Sequence, residues 1–262
     1  MTENKRPLIF VSNDDGITAK GISHLVNLMQ QLGDVLVVAP NSPQSGMGHA
    51  ITINDPLRYY KSNIWGEEVE AYECSGTPAD CVKLAKNYLN EGRVPDLVVS
   101  GINHGSNASV SVLYSGTMSA AIEASIEGLP SIGFSLCDYS HDADFSHTDD
   151  FILEICRNVL EKGLPEGITL NVNFPPKSEE EIKGIKYCRQ SVAKWQEAFD
   201  QRQDPYNREY LWLTGKFVCE DKGEGTDIHA IDNNYVSVVP VTYDMTAYKA
   251  LKEIEENWSS KG

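Results

Sequence analysis

Residues 7–16 read PLIFVSNDDG, and this stretch gives the first indication of the fold class. Leu8–Ser12 is short and apolar, which is typical of a strand buried inside a parallel sheet. The polar sequence NDDG at 13–16 follows it directly. Ligands of open α/β sheets bind beyond the carboxyl ends of the strands, and two adjacent carboxylates there indicate a divalent cation. The alternative is a plain turn in which one aspartate caps the next helix.

Apolar runs alternate with helical patterns along the first two-thirds of the chain. Further strands are predicted at Val35–Ala39, Leu97–Ile102, Ser131–Leu136 and Thr169–Phe174, and helices at 18–32, 78–90, 116–128 and 149–162. This alternation predicts an α/β fold with a doubly wound, mostly parallel sheet and helices on both faces. Residues 51–75 interrupt it with extended segments and a polar turn, which predict a hairpin added to the sheet.

The pattern changes after residue 176. Strands are predicted at Lys183–Arg189, Tyr210–Val218 and Tyr235–Val241, a polar stretch at Gln196–Arg208, and a last helix at 246–258. We therefore predict a Rossmann-like core of residues 1–190 that carries the site. We also predict a β-rich and helical C-terminal extension of residues 191–262, made of a hairpin, a strand and a helix, that makes oligomer contacts. Packing of the last helix on its own subunit is the alternative.

Charge and composition exclude several classes of partner. The chain has 22 Lys and Arg against 38 Asp and Glu, a formal net charge of −16. Such a surface repels polyanions, so duplex nucleic acid is not an expected partner, whereas a small phosphorylated substrate is compatible because a bound cation reverses the local field. The first ten residues lack the apolar region of a signal peptide, and no later run is long enough to span a membrane. A cytoplasmic protein without a membrane partner is therefore predicted.

The six cysteines are scattered and include no C-x-x-C pair. This spacing indicates neither a zinc site nor a disulfide framework.

Four polar segments follow predicted strands or open a predicted helix, and each contains a glycine. They are NDDG (13–16), PNSPQSGMGH (40–49), SGINHGSN (100–107) and YSGT (114–117). In a doubly wound sheet such strand ends converge on one crevice. Taken singly, each is more typical of a turn or a helix cap than of a site, so the prediction of a site depends on their combination.

The donor types in these segments favour a hard cation. Asp14 and Asp15 offer carboxylate oxygens, and Ser45 and Asn103 could add neutral ones. A mixed all-oxygen set suits Mg²⁺ or Mn²⁺ better than Zn²⁺.

The other half of the crevice is suited to an anion. Ser115, Gly116 and Thr117 lie at a predicted helix N-terminus, where free N–H groups and the helix dipole favour phosphate. Gly46 would let a backbone approach the same anion closely. A metal beside such a helix end is the layout of a metal-assisted phosphohydrolase.

The chain resembles the SurE family, the survival protein E phosphatases, across nearly its whole length. The resemblance is carried, in order, by SNDDG (12–16), SGMGHAIT (45–52), GTPADCVKLA (76–85), SGINHGSN (100–107), YSGT (114–117) and YVSVVP (235–240). It implies a Rossmann-like core and a metal-dependent nucleotidase that removes phosphate from nucleoside monophosphates, of the 5′-nucleotidase type, with 3′-nucleotides and short polyphosphate as further possible substrates. It also implies one Mg²⁺ or Mn²⁺ ion per subunit and a homodimer or homotetramer, often with exchanged C-terminal elements.

The resemblance assigns roles to individual residues. It implies that Asp14, Asp15, Ser45 and Asn103 hold the metal, with Asp14 and Asn103 also catalytic, and that Asn107, Ser115, Gly116 and Thr117 contact phosphate. Asp14 would either activate a water or attack phosphorus, and the sequence leaves both open. The segment ASVSVL at 108–113 departs from the usual family pattern, which leaves the substrate pocket open. The resemblance also implies that Asp227 and His229 lie in a region that contacts either the active site or a neighbouring subunit.

Two other classes of protein share some of these features. A nucleotide-binding regulatory protein without catalysis is the alternative, but adjacent aspartates favour the enzyme, because carboxylates repel an anion unless a cation lies between them. An NAD-dependent oxidoreductase fits the fold but not the motifs, since no G-x-G-x-x-G follows the first strand.

Overall fold

A computed structural model describes residues 6–258, and a nine-stranded sheet forms its centre. These described residues form eleven strands: β1 (Leu8–Ser12), β2 (Asp34–Pro40), β3 (Tyr59–Ser62), β4 (Glu70–Cys74), β5 (Leu97–His104), β6 (Ser131–Leu136), β7 (Ile168–Phe174), β8 (Ile185–Tyr187), β9 (Ala193–Gln203), β10 (Glu209–Cys219) and β11 (Val236–Thr242). The order in the large sheet is β3-β4-β2-β1-β5-β6-β7-β11-β8. β4, β2, β1, β5, β6 and β7 are mutually parallel, β3 is antiparallel to β4, and β11 is antiparallel to β7.

The order of strands places a switch point between β1 and β5. From β1 the chain adds β2 and β4 on one side, and it then returns to add β5, β6 and β7 on the other. The strand ends on either side of such a switch point border the ligand crevice of doubly wound folds. The predicted α/β class is confirmed, and so is the hairpin within 51–75, which is β3 paired with β4.

Helices cover both faces of this sheet. They are α1 (Lys20–Met29), α2 (Pro78–Leu84), α3 (Gly116–Ile126), α4 (Asp149–Lys162) and α5 (Asp227–Asp232). A further helix, α6 (Tyr248–Trp258), has no buried residue. Alternate residues of β1 enter two cores: Ile9 and Val11 belong to the core of α1 and α4, whereas Leu8 and Phe10 belong to that of α2 and α3. A strand buried on both faces needs apolar side chains at every position, which explains its continuous apolar sequence.

Two helix N-termini are capped as their sequences predict, and a third is not. Thr77 and Asp80 form a reciprocal capping box at α2, and Ser115 Oγ accepts the Met118 N–H at α3. Thr148 precedes α4 and is of a residue type that often caps helices, but its hydroxyl donates instead to the Phe145 carbonyl. A 3₁₀ turn over Ser146–Thr148 precedes α4, and the Thr148 hydroxyl bonds back across this turn instead of accepting an N–H of α4. The predicted helix over 78–90 ends as α2 and continues as a π-helical turn over Ala85–Leu89.

The C-terminal third contains a long hairpin, of which the sequence predicts the second strand but not the first. β9 and β10 pair antiparallel from Ala193 with Cys219 to Gln203 with Glu209, so most of the polar stretch predicted at Gln196–Arg208 is strand. Most residues of this hairpin are exposed, and a strand without a buried face lacks the apolar alternation by which strands are recognised.

β11 lies beyond residue 190 yet belongs to the large sheet, where it pairs with β7 and β8. Residues 191–262 therefore contain a strand of the core as well as the hairpin and α6. The division at residue 190 and the role of the extension in oligomer contacts stay predictions. None of the helices within residues 6–258 combines the length and apolar character that crossing a membrane requires.

Candidate active site

Asp14 lies just beyond the end of β1 and is only 3% exposed. Thr117 Oγ1, in the first turn of α3, donates a hydrogen bond of 2.5 Å to Asp14 Oδ1. Burial raises the pKa of Asp14 to about 6; the Thr117 hydrogen bond opposes this shift and the charge of Asp15 adds to it. A carboxylate with such a pKa is ionised at neutral pH and still basic enough to accept a proton.

Gly116 is pressed against the same carboxylate. A Cβ at this position would lie 2.5 Å from Asp14 Cβ and 2.8 Å from Asp14 Oδ2, which no side chain can tolerate. The missing side chain lets the N-terminus of α3 approach the end of β1. Since the first N–H groups of a helix lack partners within the helix, this end of α3 can bind an anion beside Asp14.

Buried polar atoms without partners surround the end of β1. Asn13 Oδ1, Asp15 Oδ2, Ser12 Oγ and Ser100 Oγ have no hydrogen-bond partner among residues 6–258. Ser12 and Ser100 pair in register on β1 and β5, so these atoms lie at the switch point. Because buried oxygens normally have a partner, this set fits a group that the chain itself does not supply.

Asp15 and Asn103 complete the acidic side of the crevice. Burial raises the pKa of Asp15, while the nearby His104 and His141 oppose that shift. Asn103, near the end of β5, donates through Nδ2 to the Gly105 carbonyl at 2.9 Å, which leaves Oδ1 as the acceptor of this amide. His104 belongs to a predicted segment, but nothing in the sequence marks His141 as a neighbour of Asp15.

The donor set is that of a hard cation. Within the described residues, no group of three or more His, Cys, Asp or Glu side chains is arranged to hold a metal ion. The predicted set has two carboxylates, Asp14 and Asp15, and takes its other oxygens from serine and asparagine. These donors and the unpaired oxygens beside them fit Mg²⁺ or Mn²⁺.

The loop after β2 is attached to the site at both ends. The Gln44 N–H donates to the Asp14 carbonyl at 2.7 Å, and the Gly48 N–H donates to the Tyr114 carbonyl at 3.3 Å. Ser45 and Gly46 lie between these attachments and are exposed. Gly46 has a φ of +75° and open space around it, as a backbone that approaches a ligand requires. Ser45 therefore lies in a loop that is attached beside Asp14, and its role as a metal ligand stays a prediction.

A buried glutamate of α3, whose role the sequence did not predict, holds the same loop. Glu123 has a side chain only 4% exposed, and its Oε2 lies 2.7 Å from His49 Nε2. Lys83 of α2 donates to the other oxygen. Burial alone would raise the pKa of Glu123, but His49 and Lys83 hold it below its usual value. A glutamate within an Ala-rich helical stretch gives no sign of such burial.

Asn107 is buried in a network of amides behind the crevice. Its Nδ2 donates to Ser135 Oγ, and its N–H donates to Asn173 Oδ1, both at 2.8 Å. Asn171 Nδ2 donates to the Asn107 carbonyl at 2.8 Å. The network holds the segment after β5 against β6 and β7, and the predicted phosphate contact of Asn107 stays a prediction. Asn171 and Asn173 were not predicted, although their spacing of two places them on one face of β7.

Asp227 is fully buried and joins three segments of the chain. Its Oδ2 accepts a hydrogen bond from the Ser109 N–H at 2.7 Å. Its Oδ1 accepts hydrogen bonds from the N–H and the hydroxyl of Ser191, and from the N–H of the next residue, Ile228. This residue therefore fastens the base of the β9–β10 hairpin to the loop beside the crevice. The half-buried His229 donates its N–H to Thr226 Oγ1 at 3.3 Å, and its functional role stays open.

Fold and site together define an α/β protein of the hydrolase type, in which an acidic strand end faces the N-terminus of a helix across the switch point of the sheet. The sequence model of the family described as "Survival protein SurE" matches residues 9–197. This match covers more than half of the chain, and the chain belongs to the SurE family.

Individual relatives agree over nearly the full length. The chain is 60% identical over 253 residues to "5'-nucleotidase SurE" of Cytophaga hutchinsonii, which covers 97% of both chains. It is 60% identical over 256 residues to "5'-nucleotidase SurE" of Christiangramia forsetii, covering 97% of this chain and 98% of the other. The crystal structure of the SurE protein from Aquifex aeolicus superposes with a TM-score of 0.82 at 40% identity, covering 95% of this chain and 99% of that one. Nucleotidases of this family generally depend on a metal ion.

Proposed function

We propose that this protein is a divalent-metal-dependent 5′-nucleotidase that hydrolyses nucleoside monophosphates to nucleoside and phosphate. The observation that carries the proposal is the contact between Asp14 and the start of α3: a buried carboxylate hydrogen-bonded to Thr117 and pressed against Gly116. An anion bound there lies beside a carboxylate, which is favourable only when a cation compensates the charge. The names of the relatives support the same activity.

The metal ligands in this proposal are Asp14, Asp15, Ser45 and Asn103. When bound, Mg²⁺ or Mn²⁺ supplies positive charge to the phosphate oxygens and to the charge that develops on the transferring group. The buried oxygens without partners at the end of β1 support this assignment.

The chain's own groups have separate tasks. The N–H groups at Gly116 and Thr117 hold phosphate oxygens, with Ser115 capping the helix that presents them. The Thr117 hydroxyl orients the Asp14 carboxylate. In one route Asp14 takes a proton from the attacking water and passes it to the leaving ribose oxygen as the ribose P–O bond breaks. In the other, Asp14 attacks phosphorus itself, the ribose oxygen takes a proton from solvent, and a water then hydrolyses the aspartyl phosphate to release phosphate and restore the carboxylate.

The test is phosphate release from a panel of nucleoside 5′- and 3′-monophosphates by metal-stripped protein, with Mg²⁺ or Mn²⁺ added back. We expect turnover only when metal is restored, loss of turnover in Asp14→Asn, and full turnover in Asp55→Asn, whose carboxylate is exposed elsewhere. No release by folded protein with either metal would favour a nucleotide-binding protein without catalysis. The same panel, extended to short polyphosphate, tests the further substrates.

We also propose that the subunits assemble into a homodimer or homotetramer through the C-terminal region. No residue of α6 is buried, although Tyr248, Leu251, Ile254 and Trp258 lie at helical spacing. An unpartnered apolar helix face favours contact with another chain. Light scattering after gel filtration tests this: we expect an oligomer that Ile254→Asp weakens and Glu253→Gln does not, and a wild-type monomer at micromolar concentration would contradict the proposal.

A further inference from the structure

A second cleft adjoins the phosphate end of the crevice. It encloses about 540 Å³ between the loop after β2 and the base of the β9–β10 hairpin. Gly46 and Tyr114 line one side, and Trp195, Glu197 and Gly215 line the other. Pockets that bind small organic molecules are typically a few hundred Å³ in volume, so this cleft is large enough for a nucleoside.

The cleft is continuous with the proposed phosphate site. Tyr114 directly precedes Ser115, the N-cap of α3, and its carbonyl accepts the Gly48 N–H. Gly46 lies two residues after Gln44, whose N–H binds the Asp14 carbonyl. Consecutive Cα atoms are about 3.8 Å apart, so a group esterified to a phosphate at the start of α3 needs only a few bonds to enter the cleft.

The walls present flat aromatic surfaces. Tyr114 is 56% exposed and Trp195 is 41% exposed. Trp195 packs against Phe217 with ring centroids 5.6 Å apart and an interplanar angle of 65°, which fixes the position of the indole, and it lines the cleft. Flat rings that are fixed in position and still accessible are suited to stacking on a base.

Register in the hairpin explains the space beside Trp195. Residues that pair across antiparallel strands share a face, so Trp195 with Phe217 and Glu197 with Gly215 lie on the same side. Gly215 has no side chain, and the face of the hairpin beside the indole is therefore left open at this position. A Cβ at Gly215 would lie 2.7 Å from the Gln196 carbonyl oxygen, so this opening is built into the pairing of the strands.

The polar groups favour an uncharged ligand with N–H donors. Lys194 is paired with Glu220 at 3.0 Å. Glu197 also lines the cleft and is an acceptor for the N–H groups on the edge of a base. A second phosphate would meet this carboxylate, whereas a base would not be repelled by it.

We propose that this cleft is the nucleoside subsite, in which the base stacks on Trp195 and Tyr114 and donates a hydrogen bond to Glu197. The proposal rests on the proposed nucleotidase function, because that function places a phosphate at the start of α3. The hairpin would thus form a subsite that recognises the nucleoside, next to the phosphate site that the strand ends form.

The first experiment compares a nucleoside 5′-monophosphate with ribose 5-phosphate, which has the same ester but no base. We expect Trp195→Ala to raise KM for the nucleotide about tenfold, since stacking contributes on that order, and to leave kcat/KM for ribose 5-phosphate unchanged. Trp195→Phe should recover most of the loss. Trp212→Ala is the matched control, because Trp212 lies on the opposite face of the same hairpin and should change neither value.

The second experiment needs neither metal nor turnover. Titration with adenosine should quench tryptophan fluorescence in wild type and in Trp212→Ala, and not in Trp195→Ala. Quenching that is equal in all three proteins, or equal KM values for wild type and Trp195→Ala, would overturn the subsite. A change in oligomeric state in Trp195→Ala with unchanged KM would assign this ring to subunit contact and would also overturn it.

The two proposals fail in different ways. If wild type hydrolyses neither ester, the nucleotidase function fails and the adenosine titration alone decides the cleft. If wild type hydrolyses the nucleotide and the variants do not differ, only the subsite fails.

Discussion

Thr117 Oγ1 lies 2.5 Å from Asp14 Oδ1, so a hydrogen bond joins the end of β1 to the start of α3 across 103 residues of sequence. The two halves of the proposed site, acidic and anion-binding, are thereby fixed to each other by side chains as well as by the sheet. Because Asp14 is buried in this position, its ionisation changes the stability of the folded protein, which can be measured.

Asp14→Asn should stabilise the metal-free protein at neutral pH. Burial raises the pKa of Asp14 from 3.8 to about 6 in the folded state, so between these values the folded state binds more protons than the unfolded state. The free energy of unfolding therefore falls as pH rises through this interval, and the ionised carboxyl costs about 2–3 kcal/mol above it. We expect a Tm several degrees above that of wild type at pH 7.5, and no gain at pH 3.5.

The control for this comparison is Asp55→Asn, which should change Tm little at either pH. Adding Mg²⁺ should raise the Tm of wild type by binding only the folded state, and should raise that of Asp14→Asn much less. A lower Tm for Asp14→Asn than for wild type at pH 7.5 without metal would contradict the burial argument.

Gly116→Ala should remove most activity while the protein stays folded. Alanine favours a helix more than glycine does, but its Cβ would lie 2.5 Å from Asp14 Cβ and must displace that side chain. A displacement on this scale is expected to lower kcat about 100-fold. Ser125→Ala on the same helix is the control, because Ser125 Oγ is buried without a partner in the described part of the chain. Activity of Gly116→Ala within twofold of wild type would show that Asp14 is not confined here.

Glu123→Gln should loosen the loop after β2. The neutral amide loses the charge attraction to Lys83 and has one acceptor oxygen where the carboxylate has two. We expect the free energy of unfolding to fall by about 1–3 kcal/mol at neutral pH and KM to rise. The pKa of Glu123 is held below its usual 4.5, so its stabilisation is complete above that value and is lost as pH falls through the folded pKa. The difference between variant and wild type should therefore shrink in acid.

Glu127→Gln, at the end of the same helix, provides the comparison, since Glu127 pairs with Lys86 at 2.5 Å, lies 3.8 Å from Lys83 and makes no ion pair with His49 of the loop. Urea unfolding and initial rates measured on both variants separate loss of stability from displacement of the loop. A KM raised equally in both would show that charge on α3, and not the His49 contact, governs the loop.

Asp227→Ala should detach the hairpin from the crevice. It leaves the N–H groups of Ser109 and Ser191 without their buried acceptor, and we expect the free energy of unfolding to fall by about 3 kcal/mol. If the hairpin forms the nucleoside subsite, KM for a nucleotide should rise more than KM for ribose 5-phosphate. Asp232→Asn, on the exposed side of the same short helix, should change neither stability nor KM.

The sequence predicts those parts of the site that depend on local chemistry. Asp14, Asp15 and the Ser115 cap follow from a strand end and a helix start, and the structure brings them together at the switch point. Glu123 and Asp227 could not be predicted in their roles, because their burial depends on partners 74 and 118 residues away. The strand β9 was missed for the opposite reason, since it buries too little surface to leave an apolar pattern.

The hairpin has eleven residues in each arm, a reach of ~36 Å at about 3.3 Å per residue. Asp227 fixes its register only at the base, beside Trp195. Residues inserted as pairs at the tip therefore change its length and leave the cleft intact. A single residue inserted between Ser191 and Trp195 would turn every following side chain to the other face and replace the indole in the cleft by its neighbour. Insertions in β9 should thus be tolerated better the farther they lie from Ser191. The length of the hairpin can therefore vary without changing the ligand that binds at the end near Ser191.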